Sequence, residues 1–332
     1  MKLKRGTCQA TLLKMESSIP KLLKPVICVV GPTASGKTDL AQLLALKLNG
    51  EVVSADSMQV YRGMDIGTGK LPESERKVKH YGLDLIEPGK PYSAAMFQSY
   101  ARNAFEEIDK AHKRSVLAGG TGFYVRAAID GYNFCAGEQT NNPTREKWQQ
   151  FAYENGQSAT WEKLKELDPK SAAVIEVADT KRVIRALELY SNGQSYAKQK
   201  QALKTIPQVI PACMIGLRVN PDILRKRIYA RVDKMLEAGL VDEVKHLLDA
   251  GFRDGLCAPK AIGYKEIVAF LDGDLTLDEA LAKIKTATAR YAKRQRTWFR
   301  ADARIHWLCA DTKSSEQLCE EALGVLKRES AI

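Results

Sequence analysis

A phosphate-binding loop is the segment of this sequence whose residue types and spacing most clearly define a chemistry. The residues Gly31-Pro-Thr-Ala-Ser-Gly-Lys-Thr38 follow the apolar run 26–30 and precede a helical pattern over 39–48. Glycines let backbone N–H groups turn toward phosphate oxygens, Lys37 adds a positive charge, and the Thr38 hydroxyl is suited to hold Mg²⁺. The alternative is a chance glycine-rich turn between a strand and a helix. Because the flanks are so regular, we expect a phosphate-rich small molecule to bind here.

The ends of the other predicted strands give little support to nucleotide hydrolysis. A P-loop ATPase or GTPase carries an acidic magnesium ligand at the end of a second apolar strand. The best candidate, Ser115-Val-Leu-Ala118, continues instead into Gly119-Gly-Thr-Gly122, which has no carboxylate. The sequence also lacks an Asn-Lys-x-Asp segment that would recognise guanine. The loop therefore indicates phosphate binding without indicating ATP or GTP turnover.

Two more segments lie where strands are predicted to end. Asp56 follows the predicted strand 51–54, at the rim where open α/β sheets bind ligands. Its carboxylate either acts on the phosphate compound, as magnesium ligand or base, or caps the next helix. The glycines at 119 and 120 either let a ligand approach the backbone, with Thr121 offering a hydroxyl, or form a tight turn. The residues alone leave both choices open.

The segment 290–300 combines five cations with aromatic side chains and contains no acid. On a helix, Lys293, Arg296 and Arg300 share one stripe. Basic residues interleaved with aromatics suit a nucleic acid backbone and unstacked bases, whereas the usual alternative is a solvated charged face. Lys and Arg outnumber Asp and Glu by 51 to 40 over the whole chain, which gives a formal charge of +11. We favour contact with a polyanion.

Strand-like and helix-like segments alternate from residue 25 onward, which is typical of a parallel sheet with helices on both faces. The predicted strands are 26–30, 51–54, 115–118, 212–219 and 305–308. Helices are predicted from the N-cap Ser93 to about 112, and over 222–238, 241–250 and 277–299. Gly239 and Gly251 are expected to end the second and third of these helices. The prediction is an α/β fold, a P-loop NTPase-like parallel sheet flanked by helices.

The segment 132–205 departs from this alternation. It is polar, shows no strand-like run, and its helical periodicity breaks at Gly156, Pro169 and Gly193. We predict a small all-helical insertion domain here. The predicted parts are the extension 1–24, the core 25–131 and 206–312, the insertion 132–205, and a C-terminal tail helix within 313–332.

Composition excludes several classes of protein. The longest apolar runs are too short to cross a bilayer, so no membrane association is expected. The seven cysteines are scattered, without Cys-x-x-Cys or zinc spacing, and predict neither a disulfide framework nor structural zinc. A cytoplasmic monomer is the expectation. The basic extension 1–24 lacks the apolar core of a secretory signal and is interpreted as disordered, or as lying upstream of a start at Met15.

Taken in order, the motifs closely resemble the tRNA dimethylallyltransferase family of isopentenyltransferases. The resemblance runs from about residue 25 to 310, and it is the ordered set that is specific, because many folds share the P-loop. The matching segments are 31–38, 56–70 (DSMQVYRGMDIGTGK), 119–124 (GGTGFY), 181–188 (KRVIRALE), 261–266 (AIGYKE) and 292–300 (AKRQRTWFR). The zinc finger of eukaryotic relatives is not present, so the resemblance is to the bacterial type. The glycine at 69 and the leucine at 71 depart from the family pattern and put the shape of that loop in doubt.

The resemblance implies a reaction and its residues. In this family the loop grips the pyrophosphate of dimethylallyl pyrophosphate rather than ATP, and the N6 amine of the adenosine 3′-adjacent to the anticodon attacks the allylic carbon. Asp56 matches the family's base, with Thr121 and Arg227 as further catalytic residues and Mg²⁺ as cofactor, held in part by Thr38. The adenosine would be flipped into a channel between core and insertion. The implied pyrophosphate ligands are Gly31, Thr33, Ala34, Ser35, Gly36, Lys37 and Thr38.

The same resemblance implies contacts with the tRNA anticodon stem-loop. Arg145, in the predicted insertion, matches a family position that contacts tRNA. Arg227, by contrast, would reach the pyrophosphate by the family pattern, although on the sequence alone it would be interpreted as a surface arginine. The implied tRNA-binding residues are Asp56, Ser57, Met58, Gln59, Thr121, Arg145, Lys181, Arg182, Arg185, Lys260, Gly263, Tyr264, Lys265, Lys293, Arg294, Gln295, Arg296, Trp298 and Arg300.

Three other functions remain as alternatives. An adenylate isopentenyltransferase would prenylate free AMP, ADP or ATP, but a free nucleotide needs neither the insertion nor the basic helix. A small-molecule P-loop kinase would use Asp56 to activate a hydroxyl toward ATP. A non-catalytic RNA-binding protein would not need an intact phosphate loop beside a placed aspartate.

Overall fold

The computed structural model describes residues 19–134, 142–203, 205–255 and 257–332. Most of the extension 1–24 therefore lies outside the described residues, as do Cys8 and Cys135. The chain forms two compact units. The core unit comprises Met1–Ile129 and Val209–Ile332, and the helical unit comprises Asp130–Gln208.

The core unit contains a six-stranded sheet in the order β3-β2-β4-β1-β5-β6, in which every neighbouring pair is parallel. The predicted parallel sheet is thus confirmed, and the short strand β3 is the addition. The strands are β1 (Val26–Val30), β2 (Gly50–Ser54), β3 (His80–Tyr81), β4 (Arg114–Gly119), β5 (Ala212–Arg218) and β6 (Ile305–Cys309).

Helices surround this sheet and make up the helical unit, which contains α4 to α7. In chain order they are α1 (Lys37–Lys47), α2 (Ala94–Lys110), α3 (Gly122–Ile129), α4 (Pro143–Leu167), α5 (Pro169–Ala172), α6 (Thr180–Ser191), α7 (Tyr196–Ala202), α8 (Pro221–Glu237), α9 (Leu240–Asp249), α10 (Tyr264–Leu271), α11 (Leu277–Arg300) and α12 (Ser315–Arg328). The sequence did not predict α3 or α10.

Three helices of the core unit begin or end at the capping residues that the sequence predicted. The Ser93 side chain accepts a hydrogen bond from the Met96 N–H and caps α2. Helices α8 and α9 are each followed by a glycine with a left-handed backbone, Gly239 with φ 95° and Gly251 with φ 80°. Glycine adopts this conformation without the steric cost that other residues incur, so each helix ends there.

Strand β1 is buried on both faces, as expected for a central strand of a parallel sheet. Ile27 and Val29 pack in one apolar cluster with Leu40 and Leu44 of α1. The alternate residues, among them Cys28, pack in a second cluster with Phe97 and Phe105 of α2, and with α3. Burial on both sides explains why the strand reads as a continuous apolar run rather than an alternating one.

In the helical unit the three predicted breaks are confirmed. Helix α4 is interrupted at Gly156, whose backbone has φ 81° and ψ 175°. Pro169 begins α5, and Gly193, with φ 72°, lies just beyond the end of α6. A separate small core that includes Trp148, Leu164, Val183 and Leu187 stabilises the unit. Within the described residues, no helix is long and apolar enough to cross a membrane.

Candidate active site

The parallel register brings three loops to one edge of the core unit. Val30 is paired with Gly119, and Ser54 with Ala118, so β1, β2 and β4 end side by side. The loop 31–36, the segment 55–59 and the turn 120–121 all continue from these ends. Residues far apart in the sequence are therefore concentrated at the rim where open α/β sheets bind ligands.

The phosphate-binding loop has the backbone geometry of an anion site. Gly31 has φ 149°, and a Cβ there would lie 2.8 Å from the Leu217 carbonyl oxygen. Gly36, with φ 89°, is the N-cap of α1 and offers no side-chain hydrogen bond to the first amides of the helix. The Ser35 hydroxyl oxygen is buried and has no hydrogen-bond partner among the described residues. The loop thus presents donors that an anion would satisfy.

Two cations lie against this loop. The Lys37 ammonium donates to the Pro32 carbonyl oxygen at 2.6 Å. Arg231, on α8, has guanidinium nitrogens 3.5 Å from the Thr33 hydroxyl and 3.3 Å from the Thr68 carbonyl oxygen. Burial and the neighbouring Arg231 lower the pKa of Lys37 to about 8, an effect that the nearby Asp56 carboxylate opposes. A multivalent anion would relieve this concentration of buried positive charge.

The Asp56 carboxylate lines the same cavity, and local backbone contacts fix its orientation. One carboxylate oxygen accepts the Met58 N–H at 2.9 Å. The Thr121 hydroxyl accepts the Ser57 N–H at 3.2 Å, which ties the Asp56 segment to the end of β4. Asp56 caps no α-helix, since a series of turns follows it. Asp56 and Thr121 therefore lie at the same rim of the sheet, as predicted, and Asp56 lines the cavity.

The cavity has a volume of about 340 Å³ and combines polar with apolar walls. Its polar wall includes Lys37, Asp56 and Arg231. Its apolar wall comes mainly from α8 and α11 and includes Ile228, Val232, Met235 and Ile284. Such a cavity suits a small molecule with an anionic part and a hydrocarbon part.

The loop 65–70 is held by charged side chains, among them the buried Lys70, that the sequence did not predict as functional. Lys70 pairs with Asp65 and, at 2.6 Å, with Asp84, while its own side chain is only 3% exposed. The Glu243 carboxylate, on α9, accepts the N–H groups of residues 65, 66 and 67 at 2.7 to 3.1 Å. It also accepts the Tyr264 hydroxyl at 2.6 Å. These contacts join residues that are far apart in the sequence, so no local sequence pattern predicts them.

The departure from the family pattern at position 69 has a structural counterpart. Gly69 has φ 60°, and a Cβ at this position would lie 1.6 Å from a guanidinium nitrogen of Arg231. The glycine thus leaves room for Arg231 beside the phosphate-binding loop. Arg227, the arginine that the resemblance selected, donates instead to the carbonyl oxygens of Ala310 and Asp311 at 2.9 and 2.7 Å. The structure places Arg231, one helical turn later, in the cavity wall and Arg227 outside it.

The basic helix α11 divides its residues between the cavity and the solvent. Tyr291 and Arg294 line the cavity, and burial together with Asp56 raises the pKa of Tyr291 to about 12, so its hydroxyl stays protonated. Trp298 is 44% exposed and covers the backbone of Gly122, where a Cβ would lie 2.0 Å from the indole ring. Lys293 and Arg300 are exposed. A cationic, partly aromatic surface therefore lies next to the cavity.

Gln295 is the exception on this helix, because its side chain is 5% exposed. Its carbonyl oxygen accepts the Thr33 N–H at 2.8 Å, and its amide nitrogen donates to the Gly120 carbonyl oxygen at 2.9 Å. Close approach of Gln295 also explains Gly120, since a Cβ there would lie 2.2 Å from the Gln295 amide nitrogen. The glycines at 119, 120 and 122 thus serve close packing around the loops.

The remaining predicted contact residues fall into two groups. In the core unit, Ser57, Met58, Gln59, Lys260, Gly263 and Tyr264 line the cavity, and Lys265 is exposed. In the helical unit, Arg145 and Arg185 both pair with the buried Glu188 carboxylate, Arg145 at 2.8 Å. Lys181 and Arg182 are exposed, and Arg182 pairs with Asp179.

The donors suit a magnesium ion held mostly by a phosphate ligand. Among the described residues there is no group of three or more His, Cys, Asp or Glu side chains that could hold a metal by itself. Thr38 and Asp56 both line the cavity beside the loop. Mg²⁺ commonly takes one or two protein oxygens and completes its shell with phosphate oxygens and water, so the Thr38 hydroxyl fits that mode and leaves the Asp56 carboxylate available.

A parallel sheet whose first strand ends in a phosphate-binding loop, with a carboxylate at the next strand end, defines a P-loop-type α/β protein. The profile of the family described as IPP transferase matches residues 59–302, and the chain belongs to this family. A second profile, described as isopentenyl transferase, matches residues 24–80.

Relatives and solved structures agree with this assignment. The tRNA dimethylallyltransferase of Carboxydothermus hydrogenoformans is 44% identical over 90% of this chain and 96% of its own. That of Bacillus subtilis is 43% identical over 86% and 90%. The crystal structure of a tRNA isopentenylpyrophosphate transferase from Bacillus halodurans superposes with TM-score 0.67 at 40% identity, covering 92% of this chain and 98% of the other. A eukaryotic dimethylallyltransferase crystallised acting on tRNA gives TM-score 0.76 at 27% identity, covering 92% and 80%.

Proposed function

We propose that this protein transfers a dimethylallyl group from dimethylallyl pyrophosphate to the N6 amine of the adenosine 3′-adjacent to the anticodon of tRNA. The observation that carries the proposal is one cavity that holds Asp56, the phosphate-binding loop and an apolar wall. The names of the relatives support the same reaction.

The pyrophosphate end of the donor fits the loop 31–38 and its two cations. Loop N–H groups, Lys37 and Arg231 would stabilise the negative charge that develops on the leaving pyrophosphate oxygen. A magnesium ion held in part by the Thr38 hydroxyl would add further charge neutralisation when bound. The dimethylallyl end fits the apolar residues of α8 and α11 that line the cavity.

Asp56 is the group best placed to take the proton in this reaction. The adenine amine is a weak nucleophile because its lone pair is delocalised into the ring. A new bond forms between N6 and the allylic C1 while the bond from C1 to the pyrophosphate oxygen breaks, and that oxygen keeps the electron pair. Asp56 accepts the proton that N6 loses, a role that typically contributes about 10²- to 10⁴-fold in rate.

The tRNA would be held by the cations that surround the cavity. Lys293, Arg294 and Arg300 are exposed on α11 next to the exposed face of Trp298. Cations attract the phosphate backbone and aromatic faces stack on unpaired bases. A cytoplasmic monomer remains the prediction from the sequence.

The experiment that tests the proposal follows label from dimethylallyl pyrophosphate in the presence of Mg²⁺. Parallel reactions contain unmodified tRNA, a tRNA whose adenosine next to the anticodon is replaced by guanosine, or free AMP. Label confined to the first reaction is the expected result. Label in AMP would identify an adenylate isopentenyltransferase, and turnover of ATP without any isoprenoid would identify a kinase.

A further inference from the structure

The buried Gln295 has a bonding pattern that differs from that of its neighbours on α11. Lys293 and Arg294 precede it in the sequence and are exposed, whereas Gln295 is buried against two backbone segments of the core unit. Its amide carbonyl receives an N–H and its amide NH₂ meets a carbonyl oxygen. These complementary partners fix the orientation of the amide, since the flipped amide would place donor against donor.

The two backbone groups that Gln295 joins belong to the two loops that carry the proposed chemistry. Thr33 lies within the phosphate-binding loop, and its N–H points to Gln295 and not to the loop interior. Gly120 immediately precedes Thr121, which accepts the Ser57 N–H beside Asp56. The Gln295 side chain thus connects the phosphate-binding loop with the turn that contacts the segment carrying Asp56.

We propose that Gln295 is a positioning residue for pyrophosphate binding, and not a contact to RNA. It sets the separation of the phosphate-binding loop and the Gly120 turn through two hydrogen bonds, one partly buried and one buried. Without them the partly buried Thr33 N–H and the buried Gly120 carbonyl are left unpaired, so both segments must shift to find water. The inference rests on the proposed pyrophosphate site, but it assigns to Gln295 a role that the basic surface of α11 does not share.

The chain contains a closely matched control. Gln42, on α1, is also 5% exposed, and its amide oxygen accepts the Lys77 N–H at 2.8 Å. Gln42 does not line the cavity. Gln295→Met and Gln42→Met therefore each replace a buried glutamine by an apolar side chain of similar length, and each leaves a backbone N–H unpaired. Only the first change affects the phosphate-binding loop.

The test measures binding of inorganic pyrophosphate with Mg²⁺ by calorimetry and binding of an anticodon stem-loop RNA by fluorescence anisotropy. We expect Gln295→Met to weaken pyrophosphate binding about tenfold or more and to change RNA affinity by less than about twofold. Gln42→Met should lower the melting temperature to a similar degree while leaving both affinities within about twofold of the unsubstituted protein.

A second variant keeps the test informative if the methionine variant folds poorly. Gln295→Glu retains an acceptor for the Thr33 N–H but removes the donor to Gly120 and adds a negative charge beside the site, so its pyrophosphate affinity should also fall. Unchanged pyrophosphate affinity in the folded Gln295 variants, or a loss confined to RNA affinity, would overturn the proposal. If the unsubstituted protein itself binds no pyrophosphate, the proposed function is wrong. If it binds pyrophosphate and the Gln295 variants bind it equally well, only the role of Gln295 is wrong.

Discussion

The carboxylate of Asp56 is the single group on which the proposed chemistry depends most. Its hydrogen bond from the Met58 N–H orients one oxygen, and the cavity holds the other residues of the site around it. A base that also serves as a backbone acceptor must be replaced without disturbing that contact. Asparagine keeps the oxygen acceptor but removes the negative charge, and with it the ability to take a proton.

We therefore expect Asp56→Asn to lower the transfer rate by about 10²-fold or more, with RNA and pyrophosphate affinities changed by less than about threefold. Single-turnover transfer of labelled dimethylallyl groups measures the rate, and anisotropy measures the RNA affinity. Asp39→Asn, which removes an exposed carboxylate of α1 that does not line the cavity, is the control. A transfer rate of Asp56→Asn near that of the unsubstituted protein would remove Asp56 as the base.

Lys37 gives the site a pH dependence whose sign follows from its pKa. Folding lowers this pKa from 10.5 to about 8, so between these values the unfolded chain binds the additional proton. The contribution of Lys37 to the free energy of unfolding of the ligand-free protein should therefore rise with pH above about 8. Pyrophosphate affinity should fall over the same range, because the loop loses a positive charge.

Lys37→Met separates these two effects. We expect the variant to lose most of its affinity for pyrophosphate, and the rise of its melting temperature between pH 7 and 9 to be smaller than in the unsubstituted protein. Thermal unfolding at several pH values, with and without pyrophosphate, measures both. Equal pH dependence of the melting temperature in the two proteins would show that Lys37 does not titrate in this range.

At the scale of elements, α9 holds the loop 65–70 through a single carboxylate. Glu243 satisfies three backbone N–H groups and the Tyr264 hydroxyl, so its removal leaves four donors to find other partners. Each buried donor without a partner costs about 1–3 kcal/mol, and contact with water offsets part of that cost. The loop also contains Gly69, against which Arg231 lies.

Glu243→Ala is accordingly expected to lower the free energy of unfolding by about 2–4 kcal/mol and to weaken pyrophosphate binding through Arg231. Tyr264→Phe, which removes one of the four donors, should cost only about 1 kcal/mol. Urea denaturation measures both changes. The interpretation of Glu243 as the organiser of this loop is contradicted if the alanine variant loses no more stability than the phenylalanine variant.

Helix α11 carries the proposed RNA surface, and its cations can be tested as a set. Replacing Arg296 and Arg300 together by glutamine should flatten the slope of log affinity for the stem-loop against log salt by about one to two units. The control replaces two cations elsewhere, Arg62 and Lys110, by glutamine, with the same change in net charge. Equal slopes in the two double variants would mean that this face of α11 is solvated rather than bound to RNA.

Across the whole molecule, the sheet and the phosphate-binding loop could be predicted because each depends on residues that are neighbours in the sequence. The run 26–30 is apolar throughout since β1 is buried on both faces. What could not be predicted are pairings across the chain, such as that of Gln295 with Thr33, 262 residues away. A polar residue within a basic helix looks exposed unless its partner is known. Arg227 and Arg231 likewise share one helix, and only packing decides which reaches the cavity.

The helical unit has its own core and its own buried charge, which predicts that it can lose structure separately. The Glu188 side chain is 3% exposed and compensates Arg145 and Arg185, so Glu188→Ala leaves two cations without their buried partner. Removing one member of a fully buried ion pair typically costs about 3–5 kcal/mol, and the cost here should be smaller because the two arginine side chains are 24% and 38% exposed. The helical unit is compact and has its own core, so that loss should appear as local opening.

Hydrogen exchange measured by mass spectrometry is the direct readout for this variant. In Glu188→Ala, peptides from residues 142–203 should exchange faster, whereas peptides from β1, β4 and β5 should keep their protection and pyrophosphate affinity should not change. RNA affinity should fall if the helical unit contributes to the RNA surface. Glu162→Ala, which removes an exposed carboxylate of the same unit, is the control. Equal loss of protection in the sheet and in the helical unit would show that the two units unfold as one, and the separate core of α4 and α6 would then not be an independent source of stability.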